Sequence, residues 1–115
     1  MEDNLIKLLE TFGYPVYRQG SLAESEPYPP TFITFWCNTE YAQSAYDNSV
    51  AFVIYDFDVN VYADDPATVY ELLKKVRVKL SENGYQIADR GHDLASDFDT
   101  HTGRGINVTR IEREE

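Results

Sequence analysis

The chain has a single cysteine, Cys37, so no intrachain disulfide can form. It lies inside the apolar run TFITFWC, 31–37, with neither histidine near it in sequence, and is predicted to be a small buried hydrophobe rather than a reactive thiol. A free thiol also points to folding in a reducing compartment. Cations are scarce as well: 10 Lys and Arg against 20 Asp and Glu give a formal net charge of −10. Apart from KKVRVK at 74–79 they are scattered, which disfavours grip on a phosphate backbone, where clustered Lys and Arg are needed. No run approaches the roughly 18 apolar residues of a membrane helix. The start, MEDNLIKLLE, lacks the basic and apolar segments of a secretion signal, so a soluble cytoplasmic product is expected. There is no repeat and no low-complexity tract, and 115 residues predict one domain, 1–115.

Apolar and aromatic residues are plentiful. Hydrophobic residues make up 43% of the chain, enough to fold a core of ordinary size. Nine tyrosines stand against one tryptophan and one methionine. A tyrosine has a flat apolar body and a polar tip, so it suits half-buried sheet faces and interfaces alike.

The hydrophobic spacing predicts the elements. Leu5, Leu8, Leu9 and Phe12 recur at helical intervals over 2–12, with Gly13 as the stop. A short strand is expected in YPVYRQG, 14–20, followed by an acidic, proline-rich loop at 21–30. TFITFWC is a strand with large residues on both faces, and NTEYAQSAYDNS, 38–49, reads as a polar connection ending in a turn. From Val50 to Tyr62, Val53, Tyr55, Phe57, Val59 and Val61 alternate with Asp56, Asp58, Asn60 and Tyr62, giving a core face and a wet face. A second helix is predicted from Asp64 or Asp65 as cap, through Pro66 in its first turn, to Asn83-Gly84. Val69, Leu72, Leu73, Val76 and Leu80 form its apolar stripe, and Lys74, Lys75, Arg77 and Lys79 lie mainly on the solvent side. YQIADRG and GINVTRIE read as two further strands, the second with Ile106, Val108 and Arg110 alternating against Asn107, Thr109 and Ile111. Residues 113–115 read as a frayed tail. The order α-β-β-β-α-β-β lacks the regular alternation of a parallel sheet. It predicts an α+β fold: a mostly antiparallel sheet of four to five strands with two helices packed on one face.

SDFDTHTGRG, 96–105, joins the last two predicted strands and gathers the most reactive residue types. His92, Asp93, Asp97, Asp99 and His101 are of types that hold divalent metals, but their spacing fits no compact template. As a calcium loop, the stretch beginning at Asp97 has Thr102 where a glycine belongs and Val108 where a bidentate glutamate belongs. TGRG has no lysine and opens a strand rather than a helix, so it is not a phosphate loop. No serine with a placed base suggests acyl transfer. A shaped surface loop explains more. Gly103 and Gly105 are expected to form a turn or bulge, Thr100 and Thr102 to bond the local backbone, and Arg104 to ion-pair with Asp93, Asp97 or Asp99.

Three stretches, YPPTFITFWCNTEYAQSAYDN, YADDPATVYELLKKVRVKLSENGYQI and GHDLASDFDTHTGRGINVTRIE, resemble small tail proteins of long-tailed phages and prophages of Gram-positive bacteria. The resemblance spans 28–112, is most specific at 100–105 and at the 64–66 helix cap, and is to tail-terminator and head-to-tail joining (tail completion) proteins. It implies an α+β fold without catalysis or cofactor. Such proteins form a hexameric ring at the head-proximal end of the tail, ending the tube and joining it to the head connector. The implied partners are further copies of the chain, the major tail tube protein and the head–tail connector, with DNA passing through unbound and no membrane contact. The implied location is the virion neck, assembled in the host cytoplasm. Tyr41, Tyr46, Asp47 and Asn48 of the polar connection, and Asp99, His101 and Arg104 of the loop, are the expected subunit or partner contacts. The rival expectations are a small acidic intracellular binding module and a metal-dependent enzyme using His92, Asp97, Asp99 and His101.

Overall fold

The computed structural model describes residues 2–18, 30–44, 51–88, 90–94 and 101–114. Two helices and six strands follow in the order α1 (Glu2–Glu10), β1 (Val16–Arg18), β2 (Thr31–Ser44), β3 (Ala51–Ala63), α2 (Pro66–Glu82), β4 (Gln86–Ile87), β5 (His92–Leu94) and β6 (Thr102–Glu114). The strands form one sheet in the order β1-β2-β3-β6-β4, with β5 also on β6. Every pairing is antiparallel except β1 on β2. The α+β class and the mostly antiparallel sheet are therefore as the sequence predicts.

α2 shows why the sequence patterns are readable. Asp65 accepts the Ala67 amide at 3.0 Å, Pro66 supplies a pre-set backbone angle, and Asn83 ends the helix with its amide on the Leu80 and Ser81 carbonyls. Its buried residues are Val69, Leu72, Leu73, Val76 and Leu80. They pack on one face of the sheet against Ile33 and Phe35 of β2, Phe57 and Val59 of β3, and Ile106 and Val108 of β6. Leu5 and Leu9 of α1 complete this core, and Cys37, half-buried, borders it. Burying each such side chain contributes about 1.5–3 kcal/mol, so this single layer carries most of the driving force for folding. Gly13, at φ +84°, turns the chain out of α1 after the Thr11 and Phe12 amides bond the Leu8 and Leu9 carbonyls.

The strands depart from the prediction in several places. β2 does not stop at Cys37. A bulge between Cys37 and Thr39 shifts its register by one residue, and it stays paired to β3 as far as Ser44 opposite Ala51, so 38–44 is strand rather than connection. Thr102–Gly105 is not loop but the start of β6, paired with Ala63 to Asn60. His92–Leu94 forms the unforeseen β5 against it. β6 continues to Glu114 rather than fraying after Glu112. The strands expected at 14–20 and 85–91 are confined to Val16–Arg18 and Gln86–Ile87.

The second face of β3 is less wet than its alternation predicts. Asn60 and its neighbour Thr34 are buried, as are Phe32 beside Tyr62, Gly103 and Gly105. The faces also differ along their length. The 13 residues of β3 span about 43 Å, whereas the 17 residues of α2 span about 25 Å. The sheet outruns its helices and the molecule is elongated, 54 × 28 × 23 Å. The stretch past Tyr55 and Arg110 (Ala51–Ile54, Ile111–Glu114 and the paired Tyr41–Ser44) is here called the arm.

Candidate functional site

Two of the residues singled out in the sequence, Arg104 of β6 and Asp93 of β5, meet in the structure. Arg104, on the helix side of β6, donates from Nη1 to Asp93 Oδ1 of β5 at 2.7 Å, one of the ion pairs expected from the sequence. Its guanidinium also lies 4.7 Å from the centre of the Tyr70 ring on α2. The Arg104 side chain is 17% exposed and its Nε is buried without a hydrogen-bond partner, whereas Asp93 is 77% exposed. Arg104 thus ties strand to helix, and its carboxylate partner sits at the surface.

Gly91 makes that approach possible. Its φ of +128° is open only to glycine, and a Cβ there would stand 2.8 Å from Leu73 Cδ2 and 3.0 Å from Arg104 Nη2. Sequence reasoning missed both Gly91 and Tyr70. A glycine directly before a short strand was the only signal for the first, and Tyr70 reads as one more exposed helix residue.

His101 leaves the loop for the sheet's other face. Its ring centre lies 5.9 Å from that of Phe32, which stacks on Tyr62 at 5.1 Å and meets Tyr17 edge-on at 6.2 Å. This aromatic group covers the start of β2 where no helix does. Gly103 and Gly105 are in strand here, both buried, and among the described residues the positive-φ glycines are Gly13, Gly84 and Gly91. The pair therefore makes no turn; strand glycines permit close approach of neighbouring groups. Further along the face, Asn107 donates from Nδ2 to the carboxylates of Asp56 and Asp58 and to the Phe57 carbonyl. One amide thus bridges both carboxylates on this face.

Tyr46, Asp47, Asn48, Asp97 and Asp99 lie outside the described residues, and Tyr41 is placed by its backbone alone, opposite Ile54 in the arm. His92 sits on β5 opposite Gly105. Among the described residues no three His, Cys, Asp or Glu side chains converge as metal ligands would. Two shallow grooves flank the exposed Val78 on α2. One is lined by Phe12 with Lys74 and Lys75, the other by Arg77, Ser81 and Ile87. Neither brings a nucleophile to a base.

The helix-free face carries exposed apolar surface. Trp36 in the middle of β2, and Phe52 and Ile111 in the arm, are 43%, 37% and 50% exposed, and all three lie on that face. Arg18 covers Trp36 only in part, 5.9 Å from the ring centre. At the arm's root Arg110 draws the elements together, donating to the Asn83 carbonyl at 2.8 Å and to Asn4 Oδ1 at 3.3 Å, and pairing with Glu112 at 2.9 Å. Tyr85 donates to the same Asn4 oxygen at 3.0 Å, beneath the Arg110 guanidinium. Burial pushes the Tyr85 hydroxyl above the usual tyrosine range, against the opposing pull of Arg110.

Fold and surface together define an α+β protein whose sheet is half covered by helices and half bare. No family model and no curated protein sequence matches the chain. A chain of the structure titled "Virion of native gene transfer agent (GTA) particle" is similar over 96% of this chain and 92% of that one, with a TM-score of 0.59 and 13% identity. At that identity the likeness is one of fold.

Proposed function

We propose that this chain is a non-catalytic structural subunit of a phage-like virion. Copies form a ring at the head-proximal end of the tail, end the tube there and join it to the head connector. The observation that carries this reading is the bare arm: exposed Phe52 and Ile111 on a projecting part of the sheet, beyond the core that folds the chain. A monomer gains nothing from such a surface, whereas a subunit gains an interface. The fold shared with a gene transfer agent virion chain supports the setting.

The partners on this reading are further copies, six by the family resemblance, then the major tail tube protein and the connector. Tyr41, Tyr46, Asp47, Asn48, Asp99, His101 and Arg104 are its proposed contact residues, Arg104 acting from a position already tied to Asp93 and Tyr70. Each copy adds a formal charge of −10, so the ring repels the DNA that passes through its centre. Negative-stain electron microscopy of the purified protein, alone and mixed with tail tubes, tests the role. Rings that cap one end of each tube are expected; particles of monomer size that leave tube ends bare would refute it.

A further inference from the structure

We propose that copies of this chain join edge to edge through the arm, the free edge of β6 in one copy pairing in parallel with the free edge of β2 in the next. The inference rests on the ring reading and supplies its joint.

The direction of the backbone groups carries it. Ala88 donates its amide to the Asn107 carbonyl at 2.9 Å, so the backbone of Asn107 faces away from β3. The β3–β6 register runs without a shift from Thr102 to Glu114. The two-residue period of a strand therefore turns the amides and carbonyls of Thr109, Ile111 and Arg113 outward too. β4 pairs with β6 only at Val108 and Thr109, and no described strand pairs with β6 beyond. On the opposite side of the sheet the Ile33 amide bonds the Pro15 carbonyl, and β1 covers Ile33 to Phe35 and ends. From Thr39 to Ser44, no described strand pairs with the outer edge of β2.

Among the described residues, two edges on opposite sides of one arm thus carry no neighbouring strand. Both β2 and β6 run antiparallel to β3 and so parallel to each other. A rotation about an axis along the strands preserves their direction, so the β2 edge of a second copy meets the β6 edge of the first in the parallel sense. Pairing β6 with β6 across a two-fold axis would occupy one edge and leave the other bare. Head-to-tail pairing uses both, and closing the ring leaves none exposed. The joint also covers Ile111, which stands at the β6 edge beside Ile54.

Proline at an outward edge position removes only the amide that the joint needs, because the inward ladder to β3 does not use it. Ile111→Pro and Ile111→Thr are compared with the parent chain by light scattering, with circular dichroism to check the fold. Hydrogen exchange of the Ile111 and Arg113 amides in the parent chain is read before and after assembly. The proposal expects the parent and Ile111→Thr to assemble and Ile111→Pro to remain a folded monomer. It also expects both amides to slow more than about tenfold on assembly, a readout that stands even if the proline variant fails to fold. An Ile111→Pro chain that assembles normally, with amides equally fast in both states, overturns the joint and leaves the ring standing. A parent chain that stops at a dimer overturns head-to-tail pairing. A parent chain that stays monomeric overturns ring and joint together.

Discussion

The same three strands do different work along their length. Near the helices, β2, β3 and β6 present Ile33, Phe35, Phe57, Val59, Ile106 and Val108 to α1 and α2, all buried. In the arm they remain fully paired to one another, yet Phe52 and Ile111 stand exposed on the helix-free face. Backbone pairing is continuous while burial is not. Most of the buried apolar surface lies in the covered half, and the exposed residues of the arm are available for contact. An antiparallel sheet tolerates one bare face, but bare apolar residues beside unpaired edges are a liability unless another surface covers them.

Paired substitutions separate the two halves. Phe57→Ala empties the centre of the core and is expected to cost about 3–5 kcal/mol, a large share of a domain's usual total of about 5–15 kcal/mol. Phe52→Ser, five residues earlier on the same strand but on the helix-free face, is expected to cost only about 1 kcal/mol while lowering assembly. Urea denaturation of both variants, followed by light scattering, reads the contrast. Equal losses of stability would erase the distinction between core and arm.

Gly91→Ala comes next. It strains the backbone and crowds Leu73 and Arg104, and is expected to cost about 1–3 kcal/mol in thermal unfolding. A neutral result would mean that β5 and Arg104 do not hold the helix edge of the sheet. Tyr85 stands at the boundary of the two halves. Its folded pKa is raised above the unfolded value of about 10. Its neutral form therefore contributes stability that is fully present below about pH 10 and is lost as pH rises through the folded value. Tyr85→Phe is expected to lose about 0.5–1.5 kcal/mol at neutral pH with the Asn4 hydrogen bond, and to flatten the alkaline fall. A stability–pH curve for the two chains decides it; an unchanged alkaline fall would assign that limb to another group.

The division also explains what could be read from the sequence. α2 is legible from cap to stop because its stripe packs on the core and each end carries its own chemical signal, Asp65 with Pro66 and Asn83. The buried stretch of β3 is legible for the same reason. Residues 38–44 were not: NTEYAQS shows the polarity of a connection, and its pairing to β3 past the bulge at Cys37/Thr39 is set by partners that the local sequence does not reveal. THTGRG misleads in the opposite way. Its glycines suggest a turn, but they belong to a strand whose partner, β3, lies some forty residues away in sequence. The tie between Arg104 and Asp93 was visible because their charges are close in sequence, whereas Tyr70 joins them only through the fold. The two open edges have no sequence signature at all, since they are properties of strand order.

The central claim is that the bare arm exists to be covered by other copies of the chain. Light scattering across a dilution series of the purified protein measures this most directly. The account predicts a closed species of fixed mass, about six times the 13.2 kDa of one chain, that dissociates on dilution without growing at high concentration. A mass of one chain throughout the series would contradict it.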